Sequence, residues 1–265
     1  MTRQNDEYRK EVTKEKSLYP STLFHFTEHY SALTKILDCS FFKVSHSTEK
    51  IHGKNERPRK FAIPMVSFCD IRLSHLTEHT GRYGGFGIGL KKSWGIEKGL
   101  NPVFYVNQNC SMVDYFNAAL RDFKEEHISN HSNTDKASNR KAQYRDLINP
   151  LRYMKNYEAD LVRKGKKTEK NYRFANENEW RYVPDIRSDI VPIRLSANKQ
   201  IGNDKIEHYP ESKLTFTYDD IRYIFVKDDL YLERLISHIN KNSIVKYRNK
   251  LLSKIFVTSN IFEDL

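Results

Sequence analysis

Short runs of β-branched and aromatic residues recur along the chain at irregular intervals, and this pattern constrains the fold more than any other feature. TLFHFT (22–27), the segment from Ile63 to Phe68, NPVFYV (101–106), NEWRYV (178–183) and IRYIFV (221–226) have strand composition. Apolar residues at helical spacing follow some of them: Tyr30, Leu33, Ile36 and Leu37 after the first, and Tyr115, Phe116, Ala119, Leu120 and Phe123 within 112–126. LYLERLISHI (230–239) is a third amphipathic pattern, and 245–260 holds a last helix and strand. Strands and helices mix without a regular strand–helix–strand repeat. The expected class is therefore α+β, with mixed, mostly antiparallel core sheets and peripheral helices.

Two polar stretches interrupt the pattern. HISNHSNTDKASNRKAQ (127–143) and RKGKKTEKN (163–171) have almost nothing to bury and are expected to be mobile insertions within one domain spanning 18–265. FFKV (41–44) reads as a short strand, and SHSTEKIHGKNERPRK (45–60) as a polar loop. Residues 1–17 are polar, of mixed charge, and expected to be flexible.

At 265 residues the chain can build a sizeable core without staples. Cys39, Cys69 and Cys110 have neither CxxC nor metal-ligand spacing, which points to a reducing compartment. The N-terminal segment lacks the apolar stretch of a secretion signal, and no run approaches the roughly 18–20 apolar residues of a membrane span. The expectation is a cytoplasmic protein with no membrane partner. A net charge of +11 favours anions, nucleic acid among them, but the basic residues are scattered through NERPRK, RKGKK and YRNKLLSK and match no nucleic-acid-binding motif. Solvated basic loops explain the charge as well as a nucleic-acid surface does.

The densest chemistry lies between residues 61 and 90. Ser67, Cys69 and Asp70 precede His75 and His79, but the histidines lack the glutamate of an H-E-x-x-H motif and a third ligand, so no metal is expected. Asp70 or Ser74 would cap the helix that carries them. The glycines of YGGFGIGL (83–90) match neither GxGxxG nor a Walker loop; they permit close approach of a ligand or of a neighbouring strand. Glu177 and Glu179, two apart, would share a face if both lay on a strand, with Arg181 beside Glu179 as an ion-pair partner.

The block IPMVSFCDIRLSHLTEHTGRYGGFGIGLKKSWG followed by NPVFYV, with LFHFT, NEWRYV, DIRYIFV and SKIFVTSNIFEDL, resembles the AbiGi family of abortive-infection proteins. The resemblance implies a role in phage defence as the antitoxin partner of a nucleotidyltransferase-like toxin. The same order of blocks resembles the ADP-ribosyltransferase fold whose core residues are His, Tyr and Glu. That second resemblance implies His25, Tyr83 and Glu179 as catalytic residues. It implies NAD as substrate, held by His25, Phe26, Thr27, Ser67, Tyr83 and Gly85, with NAD glycohydrolase or ADP-ribose transfer activity. The first-strand arginine and Ser-Thr-Ser motif of arginine-directed members are absent. A carboxylate at Glu179 would stabilise the oxocarbenium-like ribose left by nicotinamide. The alternative is a non-enzymatic antitoxin that keeps the fold as a scaffold and neutralises a toxin through its surface.

Overall fold

The computed structural model describes residues 20–55, 57–129, 143–144, 146–162, 165, 167–185, 193–194, 210–241 and 247–263. Segment 1–17 and most of 127–143 lie outside the described residues.

The centre is an antiparallel-dominated sheet. β1 (Thr22–Thr27), β4 (Arg59–Cys69), β5 (Phe86–Lys91), β6 (Asn101–Pro102), β11 (Glu179–Tyr182), β14 (Ile221–Val226) and β15 (Ile255–Val257) lie in the order β15-β14-β5-β1-β4-β11-β6. β14 and β15 form its one parallel pair among the described strands on that path. The 11-residue β4 organises the molecule. Its N-terminal part pairs with β3 (Ser45–Ile51) and β12 (Ile193–Arg194), and its C-terminal part with β1 and β11.

Helices cover both faces. α1 (Tyr30–Cys39) sends Leu33 and Leu37, and α5 (Asp229–Lys241) sends Leu235 and Ile239, against Leu23, Ile88, Leu90 and Ile224 of the sheet. α3 (Lys92–Glu97) adds Trp94, and α6 (Arg248–Leu252) adds Leu251. Each such large side chain withdrawn from water contributes about 1.5–3 kcal/mol. α2 (Leu76–Tyr83) places Leu76 on the opposite face with Phe24, Ile71 and Phe225. A second apolar cluster joins Ile51, Phe61, Ile63 and Met65 of β3 and β4 to Val113 and Leu120 of α4 (Met112–Ser129). α7 (Thr258–Glu263) ends the described chain. No helix is long and apolar enough to cross a membrane among the described residues.

The glycines of β5 solve a packing problem. Gly89 pairs with Phe24 on one side and Tyr223 on the other, and those rings stack with centroids 6.0 Å apart. A Cβ at Gly89 would meet Phe24 Cε1 at 2.9 Å and Tyr223 Cδ2 at 3.0 Å. Gly87 pairs with Phe26 and Phe225, and a Cβ there would meet Phe26 Cδ1 at 2.8 Å. Close packing of aromatics across β5 therefore accounts for the glycine spacing.

Three elements differ from expectation. SHSTEKI is β3 rather than loop: its backbone pairs with β4 from Ser45↔Met65 to Ile51↔Arg59, and Ile51 is buried, so tertiary pairing overrides polar composition. NPVFYV divides: β6 joins the central sheet, while β7 (Phe104–Val106) pairs in parallel with β8 (Met154–Asn156). Within the polar 163–171 stretch, Glu169 begins β10 (Glu169–Arg173), which pairs with β9 (Glu158–Leu161). The remaining pair is β2 (Phe41–Lys43) with β13 (Lys213–Thr215).

Candidate functional site

The pairings of β4 decide which side chains can meet. Glu179 lies opposite Cys69 and Arg181 opposite Ser67, and Cys69 also lies opposite Phe24. Directly opposed residues share a face, so Ser67, Cys69, Glu179 and Arg181 project to one side of the sheet. Trp180 and Phe68 project to the other.

β8 lays Lys155 against this group. Its ammonium is 2.6 Å from Glu179 Oε2 and 3.0 Å from Glu177 Oε2. The Arg181 guanidinium, fully buried, reaches Glu179 Oε1 from Nε at 2.6 Å and Glu179 Oε2 from Nη2 at 3.3 Å. Nη2 also pairs with Glu49 of β3, and Nη1 donates to the carbonyls of Arg152 and Met154 at 3.1 and 3.3 Å. Ser67 Oγ donates to Glu179 Oε1 at 2.9 Å, and the Glu179 backbone N–H donates to the Tyr105 hydroxyl at 2.8 Å. The hydroxyls of Tyr83 and Tyr172 both donate to Glu177 Oε1, the latter at 3.0 Å.

Burial pushes the Glu179 carboxyl up, but the Arg181 and Lys155 charges outweigh it and hold the group well below the usual carboxylate range. Burial lowers the Lys155 ammonium, yet the charges of Glu179, Glu177 and Glu49 raise it well above its ordinary value. Glu49 is pushed up by its own burial. Burial, with the Glu177 carboxylate beside it, raises the Tyr83 hydroxyl. Burial and the carboxylates of Glu177 and Glu179 raise Cys69 well above the usual thiol, so it stands as a neutral thiol and not as a nucleophile. The result is a charged network of Glu49, Lys155, Glu177, Glu179 and Arg181 fixed by tyrosines and Ser67.

A cleft of about 780 Å³ opens over this network, with Glu49, Tyr83, Lys155, Asn156 and Phe174 on its wall. Asn156 ties β3 to β8, accepting from His52 N at 3.1 Å and donating to Lys50 O at 2.7 Å. Lys155 also sits over the Phe174 ring, 4.9 Å from its centroid.

Of the residues singled out from sequence, Tyr83, Ser67 and Glu179 come together here. His25 does not. It lies on the opposite face among Phe42 and Phe68, with ring centroids 5.0 and 5.6 Å away, and its Nδ1 is 2.9 Å from the Ser67 carbonyl oxygen. Burial lowers its pKa against that hydrogen bond, leaving a neutral imidazole inside an aromatic core. Phe26 packs on Phe24 and Phe225, and Thr27 Oγ1 accepts from His29 N at 3.4 Å where α1 begins. Gly85 abuts Lys227, whose Cβ would stand 3.1 Å from an added Cβ.

Glu177 and Glu179 share the cluster for a reason other than strand periodicity. Glu177 ends a 3-10 turn, Phe174–Glu177, and Asn178 takes a left-handed conformation (φ 42°) that swings the chain into β11. Asp70 does not cap the helix as expected; it pairs with Lys92. Lys155, Glu49, Tyr105 and Tyr172 were not evident in the sequence. β8 is only three residues long, and nothing local signals that Lys155 enters the interior.

A family model described as "Putative abortive phage resistance protein AbiGi, antitoxin" matches residues 40–227. The chain belongs to the AbiGi family. An "Abortive phage resistance protein AbiGi" from Lactococcus lactis subsp. cremoris is 34% identical over 240 residues, covering 81% of this chain and 94% of that protein. The AbiGi match includes Tyr83, Lys155, Glu177, Glu179 and Arg181 and begins after His25. No solved structure matches the chain, so the ADP-ribosyltransferase-like architecture has no structural neighbour in support.

Proposed function

We propose that this AbiGi-family chain serves abortive phage infection as an antitoxin that neutralises a partner toxin by protein–protein contact, without turning over NAD. One observation carries the reading: both oxygens of Glu179 are already occupied, by Ser67 and Arg181 on one and by Lys155 and Arg181 on the other. A carboxylate that stabilises a ribosyl cation must present its charge where that cation forms. Glu179 instead spends its charge on two buried cations, and His25 faces the other side of the sheet. The network holds β3, β8 and β11 together, as expected of a scaffold whose function lies on its surface.

A second reading has NAD bound or cleaved, with ADP-ribose transfer, and the observation favouring it is the cleft beside Tyr83 and Lys155. Co-expression separates the two. Co-expressed with its cognate toxin, the chain should restore growth, and the two proteins should elute as one complex. Restored growth without a complex, accompanied by nicotinamide release from labelled NAD, would favour the second reading.

A further inference from the structure

Lys50 and Lys60 stand directly opposite one another in the β3–β4 pairing. Like charges directly opposed across an antiparallel ladder destabilise it, so the pair carries a cost that the fold itself does not need. Both lysines line the cleft. The cleft's carboxylates are committed elsewhere: Asp160 to Lys170 at 2.6 Å and to the Asn171 N–H at 3.3 Å, and Glu49 to Arg181. Neither Lys50 nor Lys60 forms an ion pair with a described residue, although the Asp160 carboxylate feels the charge of Lys50.

The same wall carries hydrogen-bond donors. Thr48, on the β3 face that carries Lys50 and Lys60, lines the cleft, and so does His52, whose imidazole is held neutral by its burial and then by Lys50. Two ammonium groups beside a hydroxyl and an imidazole suit an anion with several oxygens more than a single carboxylate. The lining also includes the apolar Leu161, Val162 and Phe174. The cleft therefore offers both charge and apolar surface.

We infer that the cleft binds a nucleoside polyphosphate, its phosphates against Lys50, Lys60 and Thr48 and its base among the apolar Leu161, Val162 and Phe174. Charge-assisted bonds to phosphate and apolar contact with a base are the two interactions that this lining supplies. The site requires no catalysis. It goes beyond the antitoxin reading, because toxin contact can be intact whether or not the cleft is filled, and it occupies the cleft to which the second reading assigns NAD.

The test is calorimetric titration of the full chain with ATP. Wild type should bind one equivalent saturably, with affinity falling as salt rises. Lys50→Ala/Lys60→Ala should weaken binding roughly a hundredfold, from about tenfold for each lost charge-assisted contact. Both lysines are exposed, so the variant should keep its fold, and its unfolding midpoint should not fall below wild type because a repulsion has been removed. Lys98→Ala, remote from the cleft, should bind as wild type does. Absence of ATP binding by wild type, or equal binding by the double variant, would overturn the inference. Tighter binding of a single-stranded oligonucleotide than of ATP, lost in the same double variant, would also overturn it and assign the wall to a nucleic-acid backbone.

Discussion

Arg181 Nε lies 2.6 Å from Glu179 Oε1, with the guanidinium fully buried and the carboxylate 4% exposed. The pair sits two residues apart on one strand, yet it also bonds to β3, β8 and the turn before β8, so it fastens distant parts of the chain together. Removing one member leaves the other as an uncompensated buried charge. Arg181→Met should therefore destabilise the protein by about 3–5 kcal/mol, read as a lower urea midpoint at unchanged slope. Arg181→Met/Glu179→Leu should recover part of that loss, because it removes both buried charges of the pair.

The pH dependence of stability follows from the depressed Glu179 carboxyl. Its folded pKa lies below its unfolded one, so its contribution is fully present above the unfolded carboxylate value and is lost as pH falls. The melting temperature of wild type should drop on acidification from about pH 5 to about pH 3, and Glu179→Gln should drop less over the same interval. Glu49, raised by burial, acts in the opposite sense: its contribution is present in acid and is lost as pH rises through its folded value.

His25→Leu tests whether that histidine is structural. The substitution removes the bond to the Ser67 carbonyl while keeping an apolar side chain between Phe42 and Phe68. It should cost about 1–3 kcal/mol of unfolding free energy and leave toxin neutralisation intact below the melting transition. Loss of neutralisation in a folded, stable variant would place His25 in the functional surface.

Much of the fold was legible in the sequence and much of the site was not. β1, β14 and α5 were readable because their apolar periodicity is local and strong. β3 was hidden because SHSTEKI is polar and becomes a strand only through pairing with β4. Glu179 and Tyr83 stood out through the family resemblances, but their chemistry depends on Lys155, which arrives from a three-residue strand. The separation of His25 from Glu179 is likewise set by long-range register, Phe24↔Cys69 with Glu179↔Cys69, and no sequence pattern reports that.

Gly89→Ala tests the packing of β5. The new methyl would stand 2.9 Å from the Phe24 ring and 3.0 Å from both Thr22 Cγ2 and Tyr223 Cδ2. With Phe24 fully packed, the ring has little room to retreat, so overpacking should cost about 1–3 kcal/mol. Chemical denaturation measures it, and an unchanged or raised midpoint would show that the aromatic row yields easily.

The central claim is that the carboxylate at the heart of the molecule is structural and that the protein acts by contact. It is tested by incubating purified wild type and Glu179→Gln with labelled NAD, with and without cell extract as a source of acceptors, and following nicotinamide release and label transfer. The account predicts no turnover above the protein-free background for either protein, alongside growth rescue by both at a temperature where both are folded. Nicotinamide release by wild type that falls on the order of 10² to 10³ in the Gln variant, the loss expected when a charge is removed from the transition state, would contradict it.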